Sequence, residues 1–338
     1  MLFNIWVTTI CNLKCTYCYE GQKKKTIKMD RDVADKIILF IIDKVNKLSD
    51  KYVVVNYHGG EPLLNFEIVR YITDQLMKKL FDRNLLFGIT TNAVLLNRSI
   101  TEYLTNNFKY NLSISIDGTP EIHDLNRKDF NGEGTYKKVV SNIYDLLSKR
   151  NDLRARITYN PDTIAYLANS IKHVEGLGFK NIVPVPDYSD NKWNDIHGKI
   201  LEDQIDMLYT KYKNKSDIFI SILNPDFYIS KGRCNAGIGE INIDCVGDIY
   251  PCTCMVSDKA YKIGSVTKDI DYIIIKELLK KSMEKNLECN DCNLAHWCIG
   301  ARCKLVNKMI TGYYDLPPGF LCKETHAIYN SYHKNGGK

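Results

Sequence analysis

Residues 3–18 read Phe-Asn-Ile-Trp-Val-Thr-Thr-Ile-Cys-Asn-Leu-Lys-Cys-Thr-Tyr-Cys, and this stretch decides the fold. Its first half is short, apolar and rich in β-branched and aromatic residues, which predicts a buried strand over Phe3–Thr9. Its second half places Cys11, Cys15 and Cys18 in the loop that leaves this strand, with the spacing CxxxCxxC. Three thiolates at this spacing can hold three irons of a 4Fe–4S cluster and leave the fourth iron open for an outside ligand.

Other interpretations of the three cysteines need a fourth ligand. An electron-transfer cluster takes a fourth cysteine, but the next cysteine after Cys18 is Cys234. A structural zinc ion also takes four ligands, and His58 could supply one in space. Zinc and chance core cysteines stay open as alternatives, and the three-cysteine cluster is the preferred interpretation.

The cysteines of the whole chain are clustered. Three of the twelve lie in residues 11–18, none in residues 19–233 and nine in residues 234–322. The N terminus shows neither the basic segment nor the cleavage site of a signal peptide, and no apolar run reaches transmembrane length. We therefore expect a cytoplasmic protein without membrane contact. In that reducing compartment, clustered cysteines are metal ligands or catalytic groups first and disulfides second.

The charge of the chain is mildly basic and spread along its length. Lys and Arg number 46 against 40 Asp and Glu, which gives a net charge of +6. No basic stripe or nucleic-acid motif accompanies this charge, so binding of nucleic acid is not indicated. An acidic peptide partner is compatible with it.

Six strand-like segments alternate with helix-like segments through residues 1–215. The strands are nearly continuous in hydrophobicity, which is typical of buried parallel strands. In residues 31–48 apolar side chains recur at spacings of four and three, and Asp30 is placed to cap this helix. The alternation predicts an α/β fold with a parallel sheet, and a barrel-like (β/α)6 sheet and a doubly wound open sheet both fit it. The other predicted strands are Tyr52–Tyr57, Leu85–Thr91, Tyr110–Ile116, Arg154–Tyr159 and Asn181–Val185, and further helices are expected near 66–82, 98–108, 135–149, 162–177 and 195–213.

Polar and glycine-rich segments follow several of these strands. The segment Gly59–Pro62 (Gly-Gly-Glu-Pro) follows the second strand, where glycine permits close backbone approach to a ligand and a carboxylate can accept from an ammonium. Thr-Thr-Asn-Ala at 90–93 follows the third strand, and Ser115 and Asp117 follow the fourth. The alternative, purely structural interpretation is that the first segment and the sequence Asp-Gly at 117–118 are ordinary turns. Ligands of parallel α/β sheets bind at the carboxyl ends of the strands, which favours the functional interpretation.

Together with Tyr19 directly after the third cysteine, these segments resemble the radical SAM superfamily. The resemblance implies a partial (β/α)6 barrel, in which the open iron is chelated by the amine and carboxylate of S-adenosylmethionine (SAM). One electron from the cluster then breaks a carbon–sulfur bond and yields the 5′-deoxyadenosyl radical. Ala93 stands where the family has glycine, so the turn there is expected to differ. The cofactor-binding residues implied by the resemblance are Tyr17, Gly59, Gly60, Glu61, Pro62, Asn92, Ser115 and Asp117.

The chain changes character near residue 220. Residues 240–251 predict a β-hairpin, a helix follows near 270–286, and then comes a cysteine-rich, largely irregular tail whose folding energy a metal could supply. The cysteine spacing in this region resembles the SPASM extension of radical SAM enzymes that modify peptides and proteins. It implies two auxiliary 4Fe–4S clusters, hence three clusters in all. Cys234, Cys252 and Cys303 would bind the first auxiliary cluster, and Cys289, Cys292, Cys298 and Cys322 the second.

Parts of this assignment stay open. Four residues precede Cys303 after Cys298, where the family usually has three. Cys245 and Cys254 are extra, and each is a candidate fourth ligand of the first auxiliary cluster or else an inert buried thiol. Two zinc ions are the structural alternative for the whole region.

Two domains are expected, a radical SAM core over 1–215 and a SPASM auxiliary-cluster domain over 216–338. The preferred function is a peptide maturase that installs a thioether or carbon–carbon cross-link in a ribosomally synthesised peptide. An anaerobic sulfatase-maturase-like or peptide-epimerising enzyme is the alternative. In sulfatase maturases the cysteine equivalent to Cys252 is followed by an Asp that serves as catalytic base, and Thr253 in that place argues against sulfatase maturation.

The expected partners are a peptide substrate and a reductant such as flavodoxin or ferredoxin. Because the first strand begins at residue 3, no leader-binding domain is expected ahead of it, and a separate leader-binding protein is a candidate partner. Outside enzymes, a multi-cluster iron–sulfur electron-transfer protein and a zinc-binding module are the alternatives. The sequence identifies no catalytic base or hydrogen donor.

Overall fold

The computed structural model describes residues 1–20, 26–48, 51–228, 234–235, 237–284 and 286–337. The predicted α/β fold is confirmed. All six predicted strands are present, and their ends differ from the predicted ones by at most three residues. The strands are β1 (Leu2–Trp6), β2 (Tyr52–His58), β3 (Asn84–Thr91), β4 (Asn111–Ser115), β5 (Arg154–Tyr159), β6 (Asn181–Pro186), β7 (Phe219–Ile220), β8 (Glu240–Ile243), β9 (Asp248–Tyr250), β10 (Gly264–Ser265) and β11 (Asp269–Ile270).

The predicted helices are also present, and several short ones join them. The first begins and ends as predicted, because the Asp30 carboxylate accepts a hydrogen bond from the Val33 N–H at 2.9 Å and caps it. The α-helices are α1 (Arg31–Leu48), α2 (Phe66–Lys79), α3 (Arg98–Asn107), α4 (Pro120–Asn126), α5 (Tyr136–Lys149), α6 (Leu167–Gly176), α7 (Asp195–Tyr212), α8 (Pro225–Tyr228), α9 (Tyr272–Met283), α10 (Ile299–Arg302), α11 (Lys304–Thr311) and α12 (Gly319–Lys334).

The chain divides into two compact units. The first contains residues 1–114, 127–150 and 235–279, and the second contains 115–126, 151–234 and 280–338. The expected domain boundary after residue 215 stays a prediction.

The first unit is built on a sheet in which β8, β1, β2, β3 and β4 are neighbours in that order and run parallel. The expected hairpin is confirmed, since β9 pairs antiparallel with β8, and β10 and β11 extend this edge. One face of the sheet is apolar and fully buried, with Phe3, Ile5, Val55 and Tyr57 all inaccessible to solvent. The Tyr57 hydroxyl lies 2.8 Å from the Thr73 hydroxyl of α2, so this face packs against the helices.

The opposite face of the same sheet is polar. Asn4 of β1 is in register with Asn56 of β2 and with Asn242 of β8. Toward the carboxyl ends of the strands, Trp6 and His58 stack with ring centroids 4.8 Å apart. A parallel sheet usually buries apolar side chains on both faces, so a row of amides on one face marks it as a surface that receives something polar.

The second unit contains the parallel strands β5, β6 and β7. Its C-terminal part corrects the expectation of a largely irregular tail, because α10, α11 and the 16-residue α12 lie there. Helix α12 packs through its apolar side, on which Leu321, Ala327 and Ile328 are buried. Helix α4 was not expected from the sequence either. Among the residues described, no helix is both long and apolar enough to span a membrane.

Candidate functional site

The cysteine loop directly follows β1 in the first unit. The Leu13 N–H donates to the Cys11 Sγ at 3.4 Å, and the Cys18 N–H donates to the Cys15 carbonyl at 3.2 Å. Burial raises the pKa of Cys11 to about 12, and the charges of Glu61, Cys15 and Cys18 act in the same direction. A buried thiol with a raised pKa is neutral unless a metal compensates it, because a bound cation deprotonates a coordinating thiol. Cys11, with Cys15 and Cys18 near enough to influence it, therefore fits a cationic iron cluster.

Tyr17 lies between the second and third cysteines. The Arg127 guanidinium sits over its ring at 5.3 Å from the centroid. The Lys14 N–H donates to the Lys128 carbonyl at 2.8 Å, so the same segment holds the loop from two sides. This contact between the cysteine loop and residues 127–128 was not derivable from the sequence.

The two glycines of the Gly-Gly-Glu-Pro segment pack on the chain leaving β1. A Cβ atom on Gly59 would lie 2.4 Å from the Thr8 carbonyl oxygen, and one on Gly60 would lie 2.5 Å from the Ile10 carbonyl oxygen. The Gly60 N–H donates to the Thr8 carbonyl at 3.0 Å. In this structure the close approach that requires glycine is thus to the cysteine loop, which these contacts position.

Glu61 is the buried carboxylate of this site, with 1% of its surface exposed. Its Oε1 accepts from the Leu63 N–H at 3.0 Å and from the Thr91 hydroxyl at 2.7 Å, and its Oε2 accepts from the Asn92 N–H at 2.7 Å. Burial raises the pKa of Glu61 to about 7, against these hydrogen bonds and the charge of Arg127, which lower it. Two carboxylate oxygens offer about four acceptor positions, so one acceptor position remains for a cationic ligand. Pro62 begins the short helical turn that Glu61 caps.

Asn92 connects Glu61 to the cysteine loop. Its Nδ2 donates to the Asn12 side chain at 2.9 Å and lies 3.8 Å from the Cys11 Sγ. The following Ala93 has φ +63°, the left-handed conformation that glycine adopts without strain. An alanine here costs about 1 kcal/mol in conformational energy. The site in the first unit therefore contains Tyr17, Gly59, Gly60, Glu61, Pro62 and Asn92 around the three cysteines.

Ser115 and Asp117 belong to the second unit. Asp117 is buried, its Oδ1 accepts from the Thr158 N–H at 2.9 Å, and its own N–H donates to His123 Nδ1 at 3.3 Å. The first bond ties the segment after β4 to β5, and the second ties it to α4, which is a structural role. The assignment of Ser115 and Asp117 to the cofactor stays a prediction.

The cysteines assigned to the second auxiliary cluster lie together in the second unit. Burial raises the pKa of Cys322, and the charges of Cys298, Cys292 and Cys289 raise it further. Burial also raises the pKa of Cys289, with contributions from Cys298 and Cys292. Cys322 and Cys289 thus lie among thiols that oppose their ionisation, an environment that a metal cluster would neutralise.

The cysteines assigned to the first auxiliary cluster divide between the units. Cys252 belongs to the first unit, Cys234 and Cys303 belong to the second, and their joint assignment stays a prediction. The Cys254 thiol donates to the Cys252 Sγ at 3.3 Å, and this bond lowers the pKa of Cys252 to about 7. Cys245 packs in an apolar cluster that includes Trp6, which favours the interpretation as an inert thiol. Across the described ranges, no three His, Cys, Asp or Glu side chains are close enough together to bind one metal ion.

Comparisons with known proteins bear on the family and the fold of this chain. The Radical SAM superfamily model matches residues 5–174. A serine-type anaerobic sulfatase-maturating enzyme of Bacteroides thetaiotaomicron is 31% identical, over 96% of this chain and 87% of that protein. The solved structure of native anSMEcpe with bound AdoMet and Cp18Cys peptide has a TM-score of 0.82 at 20% identity, covering 98% of this chain and 97% of the other. Streptococcus suis SuiB bound to the precursor peptide SuiA has a TM-score of 0.68 at 16% identity, covering 95% and 75%. The chain shares the fold of both structures, the partial (β/α)6 barrel.

Proposed function

Because this chain belongs to the radical SAM superfamily, and is related within it to enzymes that act on peptides and proteins, we propose that it is a peptide maturase. It cross-links a ribosomally synthesised peptide through a thioether or a carbon–carbon bond. The observation that carries the cofactor chemistry is the buried Glu61 carboxylate joined through Asn92 to the Cys11 thiol.

The residues of the first unit suit a SAM-binding cluster. Cys11, Cys15 and Cys18 would hold its irons, and the remaining acceptor position on Glu61 would accept a hydrogen bond from the SAM amino group. When bound, this cluster supplies the electron that cleaves SAM to the 5′-deoxyadenosyl radical, which abstracts a hydrogen atom from the substrate. Asn92 orients the Cys11 side chain, and burial around Glu61 keeps bulk water from competing for the carboxylate.

Two auxiliary clusters are proposed beside it. Cys289, Cys292, Cys298 and Cys322 would hold one, which the mutual effect of their thiols supports. Cys234, Cys252 and Cys303 would hold the other. If Cys254 completes that cluster, no iron remains for a substrate thiolate and a carbon–carbon link is expected. If it does not, the open iron favours a thioether.

The partners of this activity follow from its chemistry. A flavodoxin or ferredoxin would deliver the electron, and a separate leader-binding protein would present the peptide. We place the enzyme in the reducing cytoplasm, where cysteines remain available to iron. The relative MftC of Mycolicibacterium smegmatis, named a mycofactocin maturase, supports a peptide substrate.

Sulfatase maturation is the second candidate function. The similarity to the Bacteroides thetaiotaomicron enzyme along 96% of this chain favours it. Thr253 opposes it, because a hydroxyl cannot serve as the base that an Asp provides in that place. Peptide epimerisation is the third form of the same chemistry.

The decisive experiment is anaerobic reconstitution followed by iron counting and a 5′-deoxyadenosine assay with SAM and dithionite. We expect about twelve irons, four per cluster, and loss of deoxyadenosine in the variant Cys11→Ala/Cys15→Ala/Cys18→Ala. Cys245→Ala is the matched control, since this cysteine lies in an apolar cluster, and it should keep the iron and the activity. Zinc in place of iron, with no SAM cleavage, would reject the proposal.

The type of bond that the enzyme forms is identified from the mass of a peptide product. A pool of synthetic cysteine-containing peptides is incubated with the active enzyme and analysed by mass spectrometry. A cross-link removes a pair of hydrogen atoms from the peptide, whereas epimerisation leaves the mass unchanged in ordinary water and formylglycine formation removes the thiol sulfur. Formylglycine as the product would replace the maturase proposal with the second candidate.

A further inference from the structure

The polar face of the first unit carries a chain of side-chain amides, which we call the amide row: Asn242 of β8, Asn4 of β1 and Asn56 of β2. The three residues are register partners on neighbouring strands, so they lie side by side across the sheet. They are exposed by 0%, 3% and 9% respectively. Amides this deeply buried need hydrogen-bond partners, because an unpaired polar atom is costly away from water.

The Glu240 carboxylate fixes the orientation of the side-chain amides in the row. The Asn4 Nδ2 donates to Glu240 Oε1 at 2.6 Å and to Asn242 Oδ1 at 2.9 Å. Because a carboxylate oxygen accepts, the amino group of Asn4 must face it, and the Asn4 Oδ1 must face Asn56. Asn56 Nδ2 donates to that oxygen at 3.3 Å and lies 2.7 Å from His58 Nε2. The Nδ2 group of Asn56 is therefore directed at Asn4 and His58, and His58 accepts from it when its Nε2 carries no hydrogen.

The remaining oxygen of Asn56 has no partner. Its Oδ1 is buried and receives no hydrogen bond from any residue within the described ranges. The orientation of the amide is fixed by Glu240 through Asn4, so turning Asn56 over would place its oxygen against the Asn4 oxygen, acceptor against acceptor. The row thus ends in an acceptor that the fold itself leaves unsatisfied.

Glycine on the next strand borders this acceptor. Gly88 of β3 is the register partner of Asn56, and a Cβ atom on it would lie only 2.7 Å from the Asn56 Oδ1. Any other residue at this position would crowd the oxygen. The absence of a side chain leaves room beside the acceptor.

The polar face can be reached from outside the sheet. Val54, His58 and Thr90 on this face are partly exposed, whereas Val53 and Val55 on the opposite face of β2 are fully buried. An uncharged acceptor in a buried position suits an uncharged donor, because moving a cation there would cost its hydration.

We propose that Asn56 Oδ1, at the end of the amide row and beside Gly88, accepts a hydrogen bond from a backbone N–H of the peptide substrate. This rests on the proposed function, since it supplies a peptide with a place to bind. The contact would hold the backbone next to the modified residue while the side chain reacts. Glu240 and Asn4 act as positioning residues that set the orientation of Asn56.

The test compares ligands that differ in one N–H. N-acetylcysteine N-methylamide, N-acetylcysteine methyl ester and the amide methylated at its acetamide nitrogen are titrated by anaerobic calorimetry into reconstituted enzyme holding SAM. One analogue lacks the N–H after cysteine, and the other lacks the N–H before it. We expect the wild type to bind the parent amide about three- to tenfold more tightly than one of them, the range of a neutral hydrogen bond.

Two variants should abolish this difference. Asn56→Ala removes the acceptor, and Gly88→Ala keeps the amide row but fills the space beside the oxygen. Asn111→Ala is the matched control on the same face, because the Asn111 Oδ1 already accepts from the Ser113 hydroxyl at 2.7 Å, and it should keep the wild-type ratio. Gly88→Ala carries the test if Asn56→Ala does not fold.

The inference fails if wild type does not bind the parent amide up to its solubility, binds all three ligands alike, or if either variant retains the preference. SAM cleavage is assayed on the same preparations. Intact cleavage without an amide preference rejects this inference alone, whereas absent cleavage in wild type rejects the proposed function.

Discussion

The proposed contact of Glu61 with the SAM amino group makes binding depend on pH in a defined window. The Glu61 carboxyl has a pKa of about 7 because it is buried, and three donors among the described residues leave one acceptor position for a ligand. An acid with a raised pKa is mostly neutral below that pKa. An amino N–H of the ligand donates to the ionised carboxylate, so affinity rises as the pH rises toward 7.

The size of this effect follows from the ionised fraction. A group with pKa about 7 is roughly 9% ionised at pH 6 and 50% at pH 7, so the Kd for SAM should fall about fivefold between these values. The SAM amine that chelates iron is neutral, so loss of the ligand's own proton adds a rise in affinity with pH that is independent of Glu61. In Glu61→Gln the part of the dependence that is due to the carboxyl should vanish and leave a shallower slope, and binding at pH 7 should weaken about 10- to 100-fold, from about 1.5–3 kcal/mol for a charged hydrogen bond.

Anaerobic equilibrium dialysis of the reconstituted enzyme against radiolabelled SAM measures this directly. Thr91→Val is the matched control, since loss of the hydroxyl that donates to Glu61 at 2.7 Å removes a contact that lowers its pKa. Its window should move to higher pH with the slope retained. A wild-type Kd that is equal at pH 6 and pH 7, or a Glu61→Gln variant that keeps the slope, would refute the reasoning.

Three further outcomes are expected. Asp30→Ala removes the carboxylate that caps α1 through the Val33 N–H and should lower the unfolding free energy by about 1 kcal/mol in urea titrations, with Asp30→Asn as the conservative control; an unchanged midpoint would contradict the cap. Ala93→Gly relieves the left-handed conformation at φ +63° and should raise the unfolding free energy by about 1 kcal/mol; a loss of stability would contradict the strain. Cys289→Ser/Cys292→Ser should lower the iron content by about four per chain and leave the Cys11 cluster able to cleave SAM; full iron content would disprove this ligand set.

The sequence was most informative where residues act locally. Strand Arg154–Tyr159 and helix α1 were predicted to the residue, since their hydrophobic periods and the Asp30 cap are read within a few positions. The CxxxCxxC spacing likewise placed the candidate cluster in the loop after β1. Local chemistry of this kind needs no knowledge of distant parts of the chain.

Features that depend on distant segments were not predictable. Gly60 donates its N–H to the Thr8 carbonyl and packs against the Ile10 carbonyl oxygen, contacts that only the packing of distant segments decides. The amide row joins Asn4 to Asn242, and a register between strands so far apart in the chain is not encoded in either segment. A signal was present, because asparagines interrupt strands that are otherwise nearly continuous in hydrophobicity. Helix α12 was missed since its apolar positions lie among cysteines that had drawn a metal interpretation.

The two faces of the first unit's sheet divide the residues of each strand by parity. In β2, Val53, Val55 and Tyr57 hold the helices, while Asn56 and His58 face the other way. Asn56 and His58 thus take no part in packing the sheet against these helices. Related enzymes can therefore exchange one substrate for another by changing alternate residues of a strand, while the residues between them continue to pack against the helices.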